Sequence, residues 1–289
     1  YEEFIIDSLQ QALAVFEPIQ ESQGYSMSFD GDDDYIRIEH NETLNLLSNM
    51  TVMSWVKLSE NYNDHNTIIA KRDDSIDPDG EHPWQLTTSL EEPYNQAMFS
   101  SASNNSYTYS NSIFPIFDSY EWVNIASVVE GDSVKFYKNG IYMSTTYFPA
   151  SWRSENNFDI LIGSVGRSNA EYLMGKLDDI LLFDFDLSDE QVESYIFCTP
   201  TASEEGLVGY WNFNEGSGDT VYDISGNGNH GIIYGGAEFS EDIPESFNGC
   251  TDENALNYDE NALCDNGSCV YGDDVVSNLE EELSVFESI

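Results

Sequence analysis

The 289-residue chain carries 9 basic and 54 acidic side chains, a formal charge of 9 − 54 = −45 with a pI near 4.1. Such a charge repels nucleic acid and anionic membrane surfaces, and it invites divalent cations or a salty medium. No apolar run approaches the roughly 20 residues of a membrane-spanning helix, and an aromatic content of 13% excludes a disordered acidic tail.

The length suits one large β domain with small additions. Abundant Tyr, Phe, Ser and Asn with few Lys fit an extracellular β protein. Tyr1 is neither an initiator Met nor the start of a signal peptide, so the sequence reads as a processed chain or an excerpt of a longer one.

Residues 1–17 read as an amphipathic helix, with Leu9, Leu13 and Phe16 on its apolar stripe and Pro18 as its stop. Strand composition follows at Tyr25–Phe29, Tyr35–Ile38, Thr51–Lys57, Thr67–Ala70, Trp84–Thr88, Trp122–Val129, Ser133–Tyr137, Ile141–Thr145, Asp159–Ile162 and Ile180–Phe185. Asn139-Gly140 predicts a tight hairpin, because this pair accepts positive φ. Ser188–Phe197 predicts a short helix, and residues 206–239 another strand–loop–strand unit.

Residues 249–271 form a compact Asp/Asn/Cys segment, and residues 277–289 a second amphipathic helix carrying Leu279, Leu283 and Phe286. The two terminal helices echo each other. Leu9, Leu13, Val15, Phe16, Glu17 and Ile19 recur 270 positions later as Leu279, Leu283, Val285, Phe286, Glu287 and Ile289. The echo predicts one period of a tandem array, with a connecting helix at each end.

The runs Phe29–Ile36, Met53-Ser54-Trp55-Val56, Glu121–Ala126, Val134–Gly140 and Gly175–Phe183 resemble, in order, the strands of laminin-G-like (concanavalin A-like) domains of secreted bacterial proteins. The resemblance covers about 170 residues and implies an all-β, two-sheet antiparallel jelly-roll sandwich. Gly206-Leu207-Val208-Gly209-Tyr210-Trp211 resembles the opening strands of the same family; the favoured expectation is that it closes the sandwich from its C-terminal side, and the alternative is the first fragment of a second domain. The expected organisation is a connecting helix over 1–20, a sandwich over 24–248, a small motif over 249–273 and a repeated helix over 275–289.

The small motif resembles a short Cys/Asp repeat of Bacteroidota surface proteins, although Leu256 stands where fuller versions carry a further Cys. Cys198, Cys250, Cys264 and Cys269 lack zinc-site spacing, and they read as disulfides of an oxidising compartment. The favoured pairing is Cys198–Cys250 with Cys264–Cys269. Its rival is Cys250–Cys269 with Cys198–Cys264.

In such sandwiches a calcium ion often links the first and last strands. The resemblance therefore implies a structural Ca2+ at Asp178 with Asp30 and Asp34 nearby. A second oxygen-rich candidate is Asp252, Asn257, Asp259, Asn261 and Asp265, although it lacks EF-hand spacing.

Sugar recognition requires exposed aromatic rings beside amides and carboxylates. Trp55, Trp122 and Trp211 lie in strand patterns and are assigned to the core. Trp84, Trp152, Tyr107 and Tyr109 are the candidate platforms. No Glu-x-Asp-x-x-Glu-like strand or nucleophile motif is present.

The expectation is a non-catalytic module of a large secreted, calcium-stabilised repeat protein, acting at the cell surface as an adhesin on glycans or surface proteins. The alternative is a spacer or filament protomer that assembles with neighbouring copies through Leu9, Leu13, Phe16 and their echoes. A glycoside hydrolase of the same fold is a minor third reading.

Overall fold

The computed structural model describes residues 24–272, apart from 48, 61–64, 73–81, 90–94, 104–105, 118, 150–154, 166–170, 201–203, 246 and 266. The terminal helices, with Leu9, Leu13, Phe16, Leu279, Leu283 and Phe286, lie outside the described residues, as does Trp152.

Two antiparallel sheets face each other. The first runs, in spatial order, β10 (Ile141–Tyr147), β9 (Ser133–Lys138), β8 (Val123–Glu130), β3 (Met50–Leu58), β12 (Met174–Phe183), β1 (Ser26–Asp30) and β16 (Glu238–Ser240). Strand β13 (Leu207–Trp211) also pairs with β12. The second sheet runs β14 (Thr220–Val221), β15 (Gly231–Tyr234), β2 (Tyr35–Ile38), β11 (Asp159–Ile162), β4 (Thr67–Arg72), β5 (His82–Ser89), β6 (Gln96–Ser103) and β7 (Ser106–Asn111). This is the jelly-roll sandwich that the resemblance to laminin-G-like domains implies.

Period-2 alternation builds the interior. In β9, Val134 and Phe136 point inward and Lys135 outward. Facing them across the interface are Ile36 and Ile38 of β2, Leu86 of β5, Phe99 of β6 and Ile160 and Ile162 of β11, all buried. Asn139 and Gly140 turn β9 into β10 at φ of 49° and 75°, as a two-residue hairpin requires.

The outer face of the first sheet is covered by helix α1 (Asp189–Phe197), which starts with a capping box between Ser188 and Gln191. Val192 and Ile196 pack there on Met53, Val128, Leu181 and Phe183. Tyr137 donates its hydroxyl to Asp189 Oδ1 at 2.7 Å.

Residues 206–240 supply strands to both sheets. Trp211 of β13 opposes Ile180, Ile233 of β15 opposes Ile36, and Phe239 of β16 opposes Met27. The loop between β14 and β15 is organised by one buried carboxylate. Asp223 accepts the backbone N–H groups of Tyr210, Ser225 and Asn229 at 2.9–3.0 Å. Trp211 is fully buried and donates its ring N–H to the Asn229 carbonyl.

Trp55 is half-buried against the helix-covered cluster, and Trp122 is half-buried with its ring N–H on Asp242. Trp84 departs from expectation. It lies inside β5, fully buried in the sandwich interior, and so offers no surface to a sugar.

The small motif pairs β17 (Asn248–Gly249) with β18 (Cys264–Asp265) in parallel. Its disulfides are Cys198–Cys264 and Cys250–Cys269, so the favoured pairing is wrong and its rival is correct. The reason is packing. Phe247 stacks edge-on against Phe197 at the end of α1, and the Phe247 carbonyl accepts the Cys264 N–H. That contact brings Cys264, on β18, to Cys198. Cys250 lies one residue past β17 and faces into the motif toward Cys269.

Candidate functional site

Most of the rare cations among the described residues are paired with carboxylates. Lys57 and Lys176 both bind Asp242, Arg37 binds Asp159, and Lys135 binds Glu130. Lys71 is 1% exposed and donates to the Phe158 carbonyl at 2.8 Å, and its pKa falls to about 8 because it is desolvated.

The acids are also unevenly placed. Residues 93–117 and 139–152, 25 and 14 positions, contain no Asp, Glu, Lys or Arg. At the chain's average of 22% charged, such a length would carry about nine. The topology brings these two stretches together. The first contains β6 and β7, where the second sheet ends, and the second contains β10, where the first sheet ends. Ser110 of β7 donates its hydroxyl to the Tyr147 carbonyl of β10, and Ile113 donates its N–H to Ser144 Oγ.

Between the two edges the chain splits its apolar residues. Ile116 and Phe117 enter the core, whereas Ile113, Phe114 and Tyr147 remain 55%, 54% and 71% exposed.

Tyr107 and Tyr109 point outward from β7 on the outer face of the second sheet. They are half exposed, with ring centroids 5.7 Å apart and tilted by 36°. Register carries a transverse row inward from Tyr109 through Ser100, Gln85 and Ala70 to Leu161. Gln85 is the hub of this row. It donates to Glu171 Oε2 at 2.7 Å and accepts from Arg72 at 3.3 Å. Desolvation raises the pKa of the Tyr107 hydroxyl, opposed by its hydrogen bond with Ser100.

Two of the four expected platforms therefore stand at this surface, over the buried side chains of Ser100, Gln85 and Arg72. Ser100, Gln85, Arg72 and Glu171 carry no motif that a sequence reading selects. The signal that could have found the region is the missing charge.

The acidic candidates divide. Asp30, Asp33 and Asp34 gather in the β1–β2 turn, with carboxylate oxygens within 4.8 Å of one another. Asp34 Oδ2 accepts the Asp30 N–H at 2.9 Å. Burial raises the pKa of Asp34, and the charges of Asp30 and Asp33 add to the rise, while the Asp30 N–H opposes it.

Asp178 is not part of this group. β1 pairs Asp30 with Met174, which puts Asp178 four residues, roughly 13 Å, further along β12. There it lies beside Asp179 at a β-bulge, where Asp179 has φ of 44° and accepts the Tyr210 hydroxyl at 2.7 Å. Burial raises the pKa of both carboxyls.

In the small motif the acids do not converge. Asp252 is taken by Asn254 and Tyr271, Asp259 by Asn261, and Asp265 by the Gly267 N–H. Asn257 uses both ends of its amide on Ser268 and Val270. Among the described residues, Asp30, Asp33 and Asp34 form the one carboxylate trio. A separate open cleft of about 510 Å3 is lined by Glu42, Asp184, Glu204 and neighbouring polar groups. It contains no aromatic ring.

The described residues form a two-sheet antiparallel jelly roll with one helix-covered face. Residues 30–193 match the laminin G-type domain of the concanavalin A-like lectin/glucanases superfamily, and the chain belongs to that family. A candidate carbohydrate-binding protein from Bacteroides ovatus is similar at 14% identity with a TM-score of 0.56, over 75% of this chain and 59% of its own. The native heptameric SAP-like pentraxin of Limulus polyphemus is similar at 14% identity with a TM-score of 0.51, over 76% of this chain and 96% of its own. Identities this low show the fold alone. The chain spans 59% of the length of the Bacteroides protein. No curated protein matches. No helix among the described residues is long and apolar enough to cross a membrane.

Proposed function

We propose that the chain is a non-catalytic binding module of a secreted surface protein, and that it holds uncharged glycans against Tyr107 and Tyr109. The observation that carries this reading is the exposed tyrosine pair in a charge-free stretch, backed by the Ser100–Gln85–Glu171 polar row. Sugar rings present apolar faces and hydroxyl edges. Aromatic faces take the former, and the hydroxyls of the half-exposed Tyr107 and Tyr109 take the latter. The candidate carbohydrate-binding neighbour supports the reading.

A glycosidase requires two carboxylates facing each other across the bond to be cut. The rim network offers Glu171, whose Oε2 already accepts from Gln85 and Thr67. Two disulfides support an oxidising, extracellular location. The 270-residue echo of the terminal helices supports a repeated module.

A glycan array with the purified chain, run in calcium and in EDTA, tests the reading. Binding to neutral glycans is expected, and a blank array from folded protein contradicts it.

A second reading, motivated by the convergent trio, is structural calcium at Asp30, Asp33 and Asp34. The hard oxygen donors fit the ion, and it would neutralise three crowded carboxylates. EDTA should then lower the melting temperature at low salt, and Asp33→Asn should abolish that response. A melting temperature indifferent to EDTA contradicts it.

A further inference from the structure

We propose that the neutral rim formed by β7, β10 and the Ile113–Phe117 segment is a self-association surface, and that its partner is the same rim of a second copy. The proposal goes beyond glycan binding and does not depend on it.

Electrostatics limits where two such chains can meet. Each carries a formal charge of −45, so faces that present carboxylates repel. The opposite edges of the sheets show the contrast. β16 begins at Glu238 and runs into Glu241, Asp242 and Glu245, and β14 follows Glu215 and Asp219. The β7 and β10 edges carry no charged residue over two stretches of chain.

The same rim lacks the charged protection of a sheet edge, although a loop is pinned to β10 at Ser144. Exposed edges are ordinarily blunted by lysines, by inward charges or by distortion. β10 has one register shift, between Tyr142 and Ser144, and then pairs regularly with β9 from Ser144 to Tyr147. Its exposed residues Ile141, Tyr142, Thr145 and Tyr147 are all uncharged. No further strand pairs with β7 or β10 among the described residues.

Ile113 and Phe114 add two half-exposed apolar side chains between the edges, in a loop pinned to β10 through Ser144. Aromatic and aliphatic anchors in a region depleted of charge mark the centre of a protein interface. A rim meeting its own copy across a two-fold axis would bury these anchors without opposing like charges.

The test is sedimentation velocity on the full chain in EDTA, at about 100 µM, across a salt series up to about 1 M NaCl, where screening is nearly complete. The proposal expects a dimer that tightens as salt rises, because screening removes the global repulsion. Phe114→Asp and Tyr147→Asp should each weaken it at least tenfold. Both side chains are more than half exposed, so unchanged melting temperatures should accompany the loss. A wild-type chain that stays monomeric throughout overturns the proposal. So does a dimer that either variant leaves intact, or one that salt dissociates. If the wild type is monomeric while both variants lose glycan retention, the rim is a glycan surface and not a self-association surface.

Discussion

The two long rims of the sandwich are built from the same kind of strand and differ in charge. At one, β1 and β2 cross between sheets through Asp30–Asp34, and β15 and β16 cross beside them through Gly235-Gly236. Carboxylates crowd there, and the salt link of Lys57 and Lys176 to Asp242 lies next to β16. At the other, β7 and β10 end the sheets in Tyr, Ser, Thr and Asn. Where the acids are placed therefore separates a rim that repels from one on which contact is allowed, and the fold itself is indifferent to the choice.

The largest expected effect breaks the acidic crossover. Gly235 has φ of +81°, and a Cβ there would lie 2.2 Å from the Asp33 carbonyl oxygen. Gly235→Ala should cost about 3 kcal/mol or more and lower the melting temperature by about 10 °C. Gly131→Ala is the control, because its φ is also positive but nothing lies within 4 Å of the added carbon. It should cost only about 1 kcal/mol in chemical denaturation.

Next comes the Asp178–Asp179 pair. Burial raises both folded-state carboxyl pKa values above the unfolded value near 4. The native state then binds more protons than the unfolded one, so the pair's contribution to stability is fullest below pH 4 and declines as pH rises. Asp178→Asn should raise the melting temperature by a few degrees at about pH 8 and leave it unchanged at about pH 4. A variant less stable at both pH values would show that the carboxylate is needed in its ionised form.

Asp242 titrates the other way. Partial burial would raise its pKa, but hydrogen bonds from Lys176, Lys57 and Trp122 outweigh that and hold it at about 2. Its contribution is present above pH 4 and disappears as pH falls toward 2. Because its side chain is 36% exposed, screening limits Asp242→Asn to about 1 kcal/mol at neutral pH, with no difference from wild type near pH 2. Urea titrations at the two pH values read this directly. The smallest expected stability effect lies on the neutral rim, where Tyr107→Ala should shift stability by no more than about 0.5 kcal/mol.

The sequence made the sandwich legible because two-sheet burial writes itself as period-2 alternation. Val134 and Phe136 are buried while Lys135 between them is half-buried and faces Glu130, and Asn139-Gly140 turns where its chemistry requires. Long-range pairing was less legible. Cys264 meets Cys198 because Phe247 packs on Phe197, a contact that no local spacing encodes. Trp84 resembled a loop-edge tryptophan because its neighbours are polar, yet Thr87, Gln85 and Ser100 lie on the outer face while its own ring turns inward. Asp178 and Asp30 both lie in acid-rich runs on neighbouring strands, but register separates them by four residues. The polar row behind Tyr109 joins β4, β5 and β6, so it becomes visible only once the sheet is assembled.

The most direct test of the central claim is calorimetric titration of a neutral polysaccharide that scores on the glycan array into three proteins: wild type, Tyr107→Ala/Tyr109→Ala and Asp33→Asn. The account predicts that the tyrosine variant loses at least tenfold in affinity with its melting temperature intact, while Asp33→Asn in saturating calcium binds like wild type. Equal affinity in the tyrosine variant, or loss confined to Asp33→Asn, would move the binding surface to the acidic rim and contradict it.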